Sequence, residues 1–121
     1  NISMGTPENE LFGTPEIQYR HFTEFSKNHS IVNGELSEEA QIKLMNPMNY
    51  ISDNSCTTAK NFRIRHGAID RDTSLAISAI LAVTLEMNGV NVDYYLPWGI
   101  PHSGDYDLDE LFAWIDNIVS N

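Results

Sequence analysis

Cysteine is all but missing from this chain: Cys56 is the single one in 121 residues. No internal disulfide can form, and no cysteine-built metal site is available. Cationic side chains are scarce as well, 7 Lys and Arg against 17 Asp and Glu, which leaves a formal charge of −10. A surface of that sign repels nucleic-acid phosphates and anionic membrane faces, so neither is expected as a partner. No apolar run reaches the roughly 20 residues of a membrane span. No signal peptide opens the sequence, which begins at Asn1 rather than Met. Glycine-rich phosphate loops, the Walker pattern and the HExxH pair are missing too, and so is the GxSxG elbow that presents a nucleophilic serine. The cysteine count fixes no compartment, and cytoplasmic and secreted readings both stay open.

What is present divides into an irregular half and a regular one. The length suits one domain with a real core. Residues 1–16, with "GTPE" twice, read as loop with turns at both Gly-Thr-Pro copies. "IQYRHFTEFSKN" suits either a helix or an extended arm that packs its aromatics. "LSEEAQIKLMNP" reads as a short helix with Ser37 as N-cap and Pro47 as stop. "MNYISDNSCTTA" reads as loop, and Cys56 within it as structural or incidental, since no motif frames it.

The regular half starts near residue 61. A strand is expected over Asn61–His66, where Arg63, Ile64 and Arg65 would alternate between faces. A helix follows over Ser74–Met87, closed by Asn88-Gly89. A second strand, "VNVDYYLP", runs to Pro97. After a loop, apolar residues at 108, 111, 112, 115, 118 and 119 mark an amphipathic helix with Asp107 as N-cap. Strand–helix–strand implies parallel strands. The intervening "SLAISAILAVTLEM" is apolar nearly all round, so it is expected to be buried on several sides, inside a sheet that continues beyond these strands.

The chemistry-bearing residues lie at the strand ends. In "RIRHGAIDRDTS" two aspartates, Asp70 and Asp72, stand where the first strand hands over to the helix. The bland reading makes Asp72 or Thr73 the helix cap and leaves Asp70 in a solvated turn. The sharper one notes that His102 follows the next strand, and that adjacent parallel strands deliver their following loops to one edge, where ligands bind. A carboxylate and an imidazole so placed form the acid and base of a triad, in the order that α/β-hydrolases use. Ser103-Gly104 leave the imidazole room. His66 reads as a packed core histidine, and His21 and His29 as solvent-facing. The cluster Asp105, Asp107, Asp109 and Glu110 lacks the spacing and glycine of a calcium loop; capping and helix-dipole complementarity account for it.

The long block from "NFRIRHGAIDRDTS" to "LPWGIPHSGDYDLDELFAWI" closely resembles the C-terminal end of tannase-like α/β-hydrolases, bacterial serine esterases related to feruloyl esterases. The likeness is strongest over about residues 60–116, and "ENELFG" resembles the segment that returns from an inserted lid. It implies an α/β fold in which residues 1–60 are the lid-return and connecting segment. Residues 61–121 would be the C-terminal strand–helix–strand–helix part of the hydrolase domain. It further implies Asp70 as triad acid, His102 as triad base, and Asp72 as a carboxylate that hydrogen-bonds the phenolic hydroxyls of a galloyl ring. Glu8, or its neighbour Glu10, matches a lid-side glutamate with the same task. The nucleophilic serine, the oxyanion hole and a ring-binding lysine are expected upstream of Asn1, in a remaining N-terminal part that would be this segment's partner. The substrate would be a phenolic ester; no cofactor or metal is expected. Two other readings stand beside this one. The first is another α/β-hydrolase, a carboxylesterase or prolyl-peptidase-like enzyme; the second is a non-catalytic binding module on the same scaffold.

Overall fold

The computed structural model describes residues 3–5, 10–104 and 106–120. Glu8, the first Gly-Thr-Pro turn beyond Gly5, and Asp105 lie outside the described residues. In the first half, β1 (Arg20–His21) and β2 (Glu35–Leu36) form a short parallel bridge, with α1 (Glu24–Asn28) between them. Thr23 caps α1, its hydroxyl accepting the Ser26 N–H at 3.2 Å. A second helix, α2 (Glu39–Met45), follows, and a 3-10 turn at Pro47–Asn49 takes up the chain where Pro47 ends it. Ser37 is not its cap: the N-cap position falls to Glu38, which makes no side-chain capping bond. Ser37 is instead buried, its N–H donated to His21 O at 2.9 Å.

His21 corrects the expectation of a solvent-facing ring. It is 2% exposed, with Nε2 2.8 Å from Ser30 Oγ. The parallel return from α1 folds residues 30–36 over the imidazole. Gly34 permits this, since a Cβ there would lie 2.5 Å from His21 Nε2. His29 is exposed, its Nδ1 2.8 Å from Phe25 O.

The second half holds the site. β3 (Asn61–Arg65) and β4 (Asn91–Tyr95) pair in parallel from Asn61 opposite Asn91 to Arg65 opposite Tyr95. Helix α3 (Leu75–Met87) connects them, and α4 (Leu108–Val119) closes the chain. Val90 N–H reaches back to Leu85 O at 3.1 Å beyond Gly89, whose φ of +78° supplies the left-handed residue that ends α3. Strand alternation sorts the two helices. Tyr94, opposite Ile64, meets α3 through its hydroxyl, 3.1 Å from Ser78 Oγ. Arg63 and Arg65, on the other face, reach Asp107 at the start of α4.

The apolar core is small for the chain. Among the described residues Met4, Ala82 and Leu85 are its buried apolar members, with Leu85 at 0% exposure. Truncating such a leucine to alanine costs about 2–5 kcal/mol. Within these residues α3 buries one face, Ser78, Ala82 and Leu85. Ile77, Ile80, Val83 and Met87 stay exposed on it, and Phe112, Ile115 and Val119 on α4. Among the described residues no helix is long and apolar enough to cross a membrane.

Candidate active site

Two loops build the site, one leaving β3 and one leaving β4. The first turns tightly, Asp70 N–H donating to Gly67 O at 3.0 Å. The Asp70 side chain then folds over the chain that follows, its Oδ1 accepting the N–H groups of Asp72 at 2.8 Å and Thr73 at 3.0 Å. This is an Asx-type turn, and it leaves the Asp70 side chain only 6% exposed. Neither bland role survives: Asp70 is not solvated, and the N-cap position of α3 falls to Ser74.

The second loop is laid against the first. Ala68 N–H donates to Pro97 O at 3.0 Å and Ile69 N–H to Ile100 O at 3.2 Å. Gly67 makes the approach possible, because a Cβ on it would stand 2.2 Å from Ile100 O. The contact brings His102 over Asp70, with Nδ1 3.0 Å from Oδ2. His66 lies behind, buried as expected, its Nε2 4.0 Å from the same oxygen. Burial opposes ionisation of Asp70, but the amides of Thr73 and Asp72 and the His102 imidazole outweigh it and hold the carboxyl below its ordinary value of 3.8. It is thus an anion at neutral pH. An imidazole that donates its Nδ1 proton to this anion presents Nε2 as the basic atom.

Asp72 adjoins this pair and also lines a pocket. With Thr73 and Ile77 it borders a volume of about 360 Å³, whose other walls include Met4, Phe12, Phe22 and Met45. Its surface is mostly apolar, but the polar residues Arg20, His21, Thr23 and Ser26 line it beside Asp72 and Thr73. One ligand atom each from Asp70, Asp72 and His102 falls within 4.8 Å of the others, so the residues singled out at the two strand ends do converge. Asp70 already serves two amides and an imidazole, which makes the cluster a hydrogen-bonded pair with an adjacent carboxylate. Glu10 turns away to the N-terminal loop, its Oε1 accepting the Gly5 N–H at 3.2 Å.

Sequence reasoning missed one group of residues here. Asp107 occupies the N-cap position of α4 without a side-chain capping bond. Its Oδ2 accepts instead from Arg63 Nη2 and, at 3.2 Å, from Arg65 Nε. Arg65 also donates to Asp93 Oδ2 and O, each at 2.8 Å. The bond from Arg63 holds the Asp107 carboxyl below its ordinary value, and that from Arg65 does the same for Asp93. The available signal was two arginines at i and i+2 on a strand, which share a face.

No protein-family model and no curated protein matches the chain. Solved structures do. The chain is similar to the tannase from Lactobacillus plantarum, at 47% identity and a TM-score of 0.78, over 98% of this chain and 25% of that one. It is equally similar to a tannin acyl hydrolase in complex with ethyl gallate, at 47% identity and a TM-score of 0.78, over 98% of this chain and 26% of that one. The Fusobacterium nucleatum tannase matches at 50% identity with a TM-score of 0.72, over 92% of this chain and 24% of that one. The likeness to tannases read from the sequence is therefore shown, in sequence and in structure alike. The chain spans about a quarter of the length of the tannases it matches.

Proposed function

We propose that this chain is the C-terminal part of a serine ester hydrolase of the α/β-hydrolase fold, acting on phenolic esters, and that it supplies the acid and base of the triad. The observation that carries the reading is the 3.0 Å contact between Asp70 Oδ2 and His102 Nδ1, made by the loops after two adjacent parallel strands. Residues 61–121 form the last strands and helices of the hydrolase sheet, and residues 1–60 the return from the lid. The exposed faces of α3 and α4 then pack against a preceding part of the protein, which also brings the serine and the oxyanion hole.

His102 Nε2 takes the proton of the serine hydroxyl as its oxygen attacks the ester carbonyl. Asp70 holds the tautomer and stabilises the imidazolium. Collapse of the tetrahedral intermediate expels the alcohol, which receives the proton from His102. Water then repeats the sequence on the acyl-serine, and the free acid leaves. The pocket beside Asp72 fits the aromatic acyl group. Its apolar walls take a ring, and Asp72 accepts hydrogen bonds from ring hydroxyls, with Glu8 as the lid-side acceptor. A site built to bind hydroxyls rejects acids that lack them, because its carboxylates are then left unpaired. Similarity to a tannin acyl hydrolase in complex with ethyl gallate supports the substrate class. Hydrolysis of ethyl gallate and of ethyl acetate by the complete hydrolase tests the reading. A clear preference for the gallate is expected, and equal turnover would overturn the substrate class.

A further inference from the structure

The loop that carries His102 is gripped at both ends by one strand and its exit. At the near end the backbone of residues 68 and 69 binds Pro97 and Ile100. At the far end the carboxylate of Asp107 is held by Arg63 and Arg65 of β3. Between these anchors His102, Ser103 and Gly104 are exposed. An aspartate at an N-cap position ordinarily accepts the N–H of the second or third helical residue. Asp107 forgoes that bond for an ion pair that is largely buried, its own side chain 18% exposed and that of Arg63 7%. The two arginines are in turn fixed by Asp93 across the sheet, Arg65 at 2.8 Å and Arg63 at 3.7 Å. Two cations on the strand whose exit bears Asp70 are thus balanced by two carboxylates, Asp93 of β4 and Asp107 at the start of α4.

We propose that Asp107, through Arg63 and Arg65, is a positioning residue for the catalytic base: it registers the His102 loop against the strand that delivers Asp70. The proposal rests on the reading of Asp70 and His102 as a catalytic pair. A displacement of about 1 Å in such a pair lowers turnover by up to roughly 100-fold. The two-arginine fork suits the task because each guanidinium has donors in a fixed plane, which an ammonium lacks.

The test uses the complete hydrolase with Asp107→Asn, Asp107→Glu and Arg65→Lys, and Asp109→Asn as a control on the same helical turn. Asp107→Asn is expected to lower kcat by about 10- to 100-fold while KM changes little, since no substrate contact is touched. Asp107→Glu should recover much of the loss and Asp109→Asn should leave turnover unaltered. Backbone amide exchange over residues 98–104 should quicken in Asp107→Asn. Arg65→Lys, which keeps the charge, covers the case in which Asp107→Asn does not fold, and should show the same kcat loss and exchange in milder form. Wild-type kcat in a folded Asp107→Asn or Arg65→Lys variant, or unchanged exchange in that loop, would overturn the proposal. Failure of the functional reading is separately visible, because then the wild-type protein cleaves no ester while the exchange comparison still reports on the tether.

Discussion

Asp70 Oδ2 stands 3.0 Å from His102 Nδ1, while the other oxygen of the same carboxylate accepts two amides of its own loop. The Asp70 carboxylate is therefore held by its own loop as well as by His102. In the complete hydrolase, Asp70→Asn should cost on the order of 10⁴ in kcat, because an amide in that place favours the wrong imidazole tautomer. His102→Ala should remove turnover almost entirely. Steady-state kinetics on ethyl gallate decides, and near-wild-type rates in either variant would refute the assignment.

Folding depresses the carboxyl groups of Asp70, Asp93 and Asp107 below 3.8. A group whose folded value is lowered stabilises the protein fully above its unfolded value, about 3.9 for aspartate. That stabilisation is lost as pH falls through the lower folded value. Melting temperatures of wild type and Asp107→Asn should therefore differ at pH 6 and converge below about pH 4. A gap that widens in acid would contradict the ion-pair geometry.

Gly67 offers a steric test. A methyl group there would meet the carbonyl oxygens of Ile100 at 2.2 Å and Pro101 at 2.5 Å, both backbone atoms that cannot swing aside. Gly67→Ala should destabilise by about 1–3 kcal/mol, the usual cost of overpacking, and push the His102 loop off Asp70. Chemical denaturation and kcat measured together check this. An active and fully stable variant would show that the two loops do not depend on their close approach.

Parallel pairing, the α3 and α4 boundaries and the convergence of Asp70, Asp72 and His102 on one edge were all legible, because hydrophobic period and strand–helix order are local signals. The burial of His21 was not. It depends on residues 30–36 returning in parallel over the ring, a contact with no periodicity to announce it. Asp107 was legible as the N-cap position of α4, but only the register of β3 shows that two arginines take its carboxylate. The near fully apolar α3 was legible as a helix; these residues cover one of its faces and leave Ile80 and Met87 exposed at 55% and 81%.

That uncovered surface sets an expectation for the isolated segment. With Ile77, Ile80, Phe112 and Ile115 all exposed, residues 1–121 produced alone should aggregate or bind a hydrophobic dye strongly. Co-expression with the preceding part of the hydrolase should suppress both. A soluble monomer with a cooperative thermal transition and no dye binding would argue that these faces need no cover.

Asp72 separates ring recognition from loop architecture. Its backbone N–H is held by Asp70 Oδ1, and the cap position of α3 belongs to Ser74, so exchanging its side chain for an amide removes no capping bond. Asp72→Asn should thus leave the fold and the Asp70–His102 pair in place. If the carboxylate accepts phenolic hydroxyls, the change replaces charged hydrogen bonds, worth about 1.5–3 kcal/mol, by neutral ones nearer 1. The difference corresponds to roughly a tenfold loss in kcat/KM, at about 1.4 kcal/mol per decade. The loss should appear on gallate and protocatechuate esters and be much smaller on acetyl or butyryl esters, which carry no ring hydroxyls. Both substrate classes measured on the one variant decide the matter. An equal fall on both would mean that Asp72 supports the loop bearing Asp70 and reads no ring.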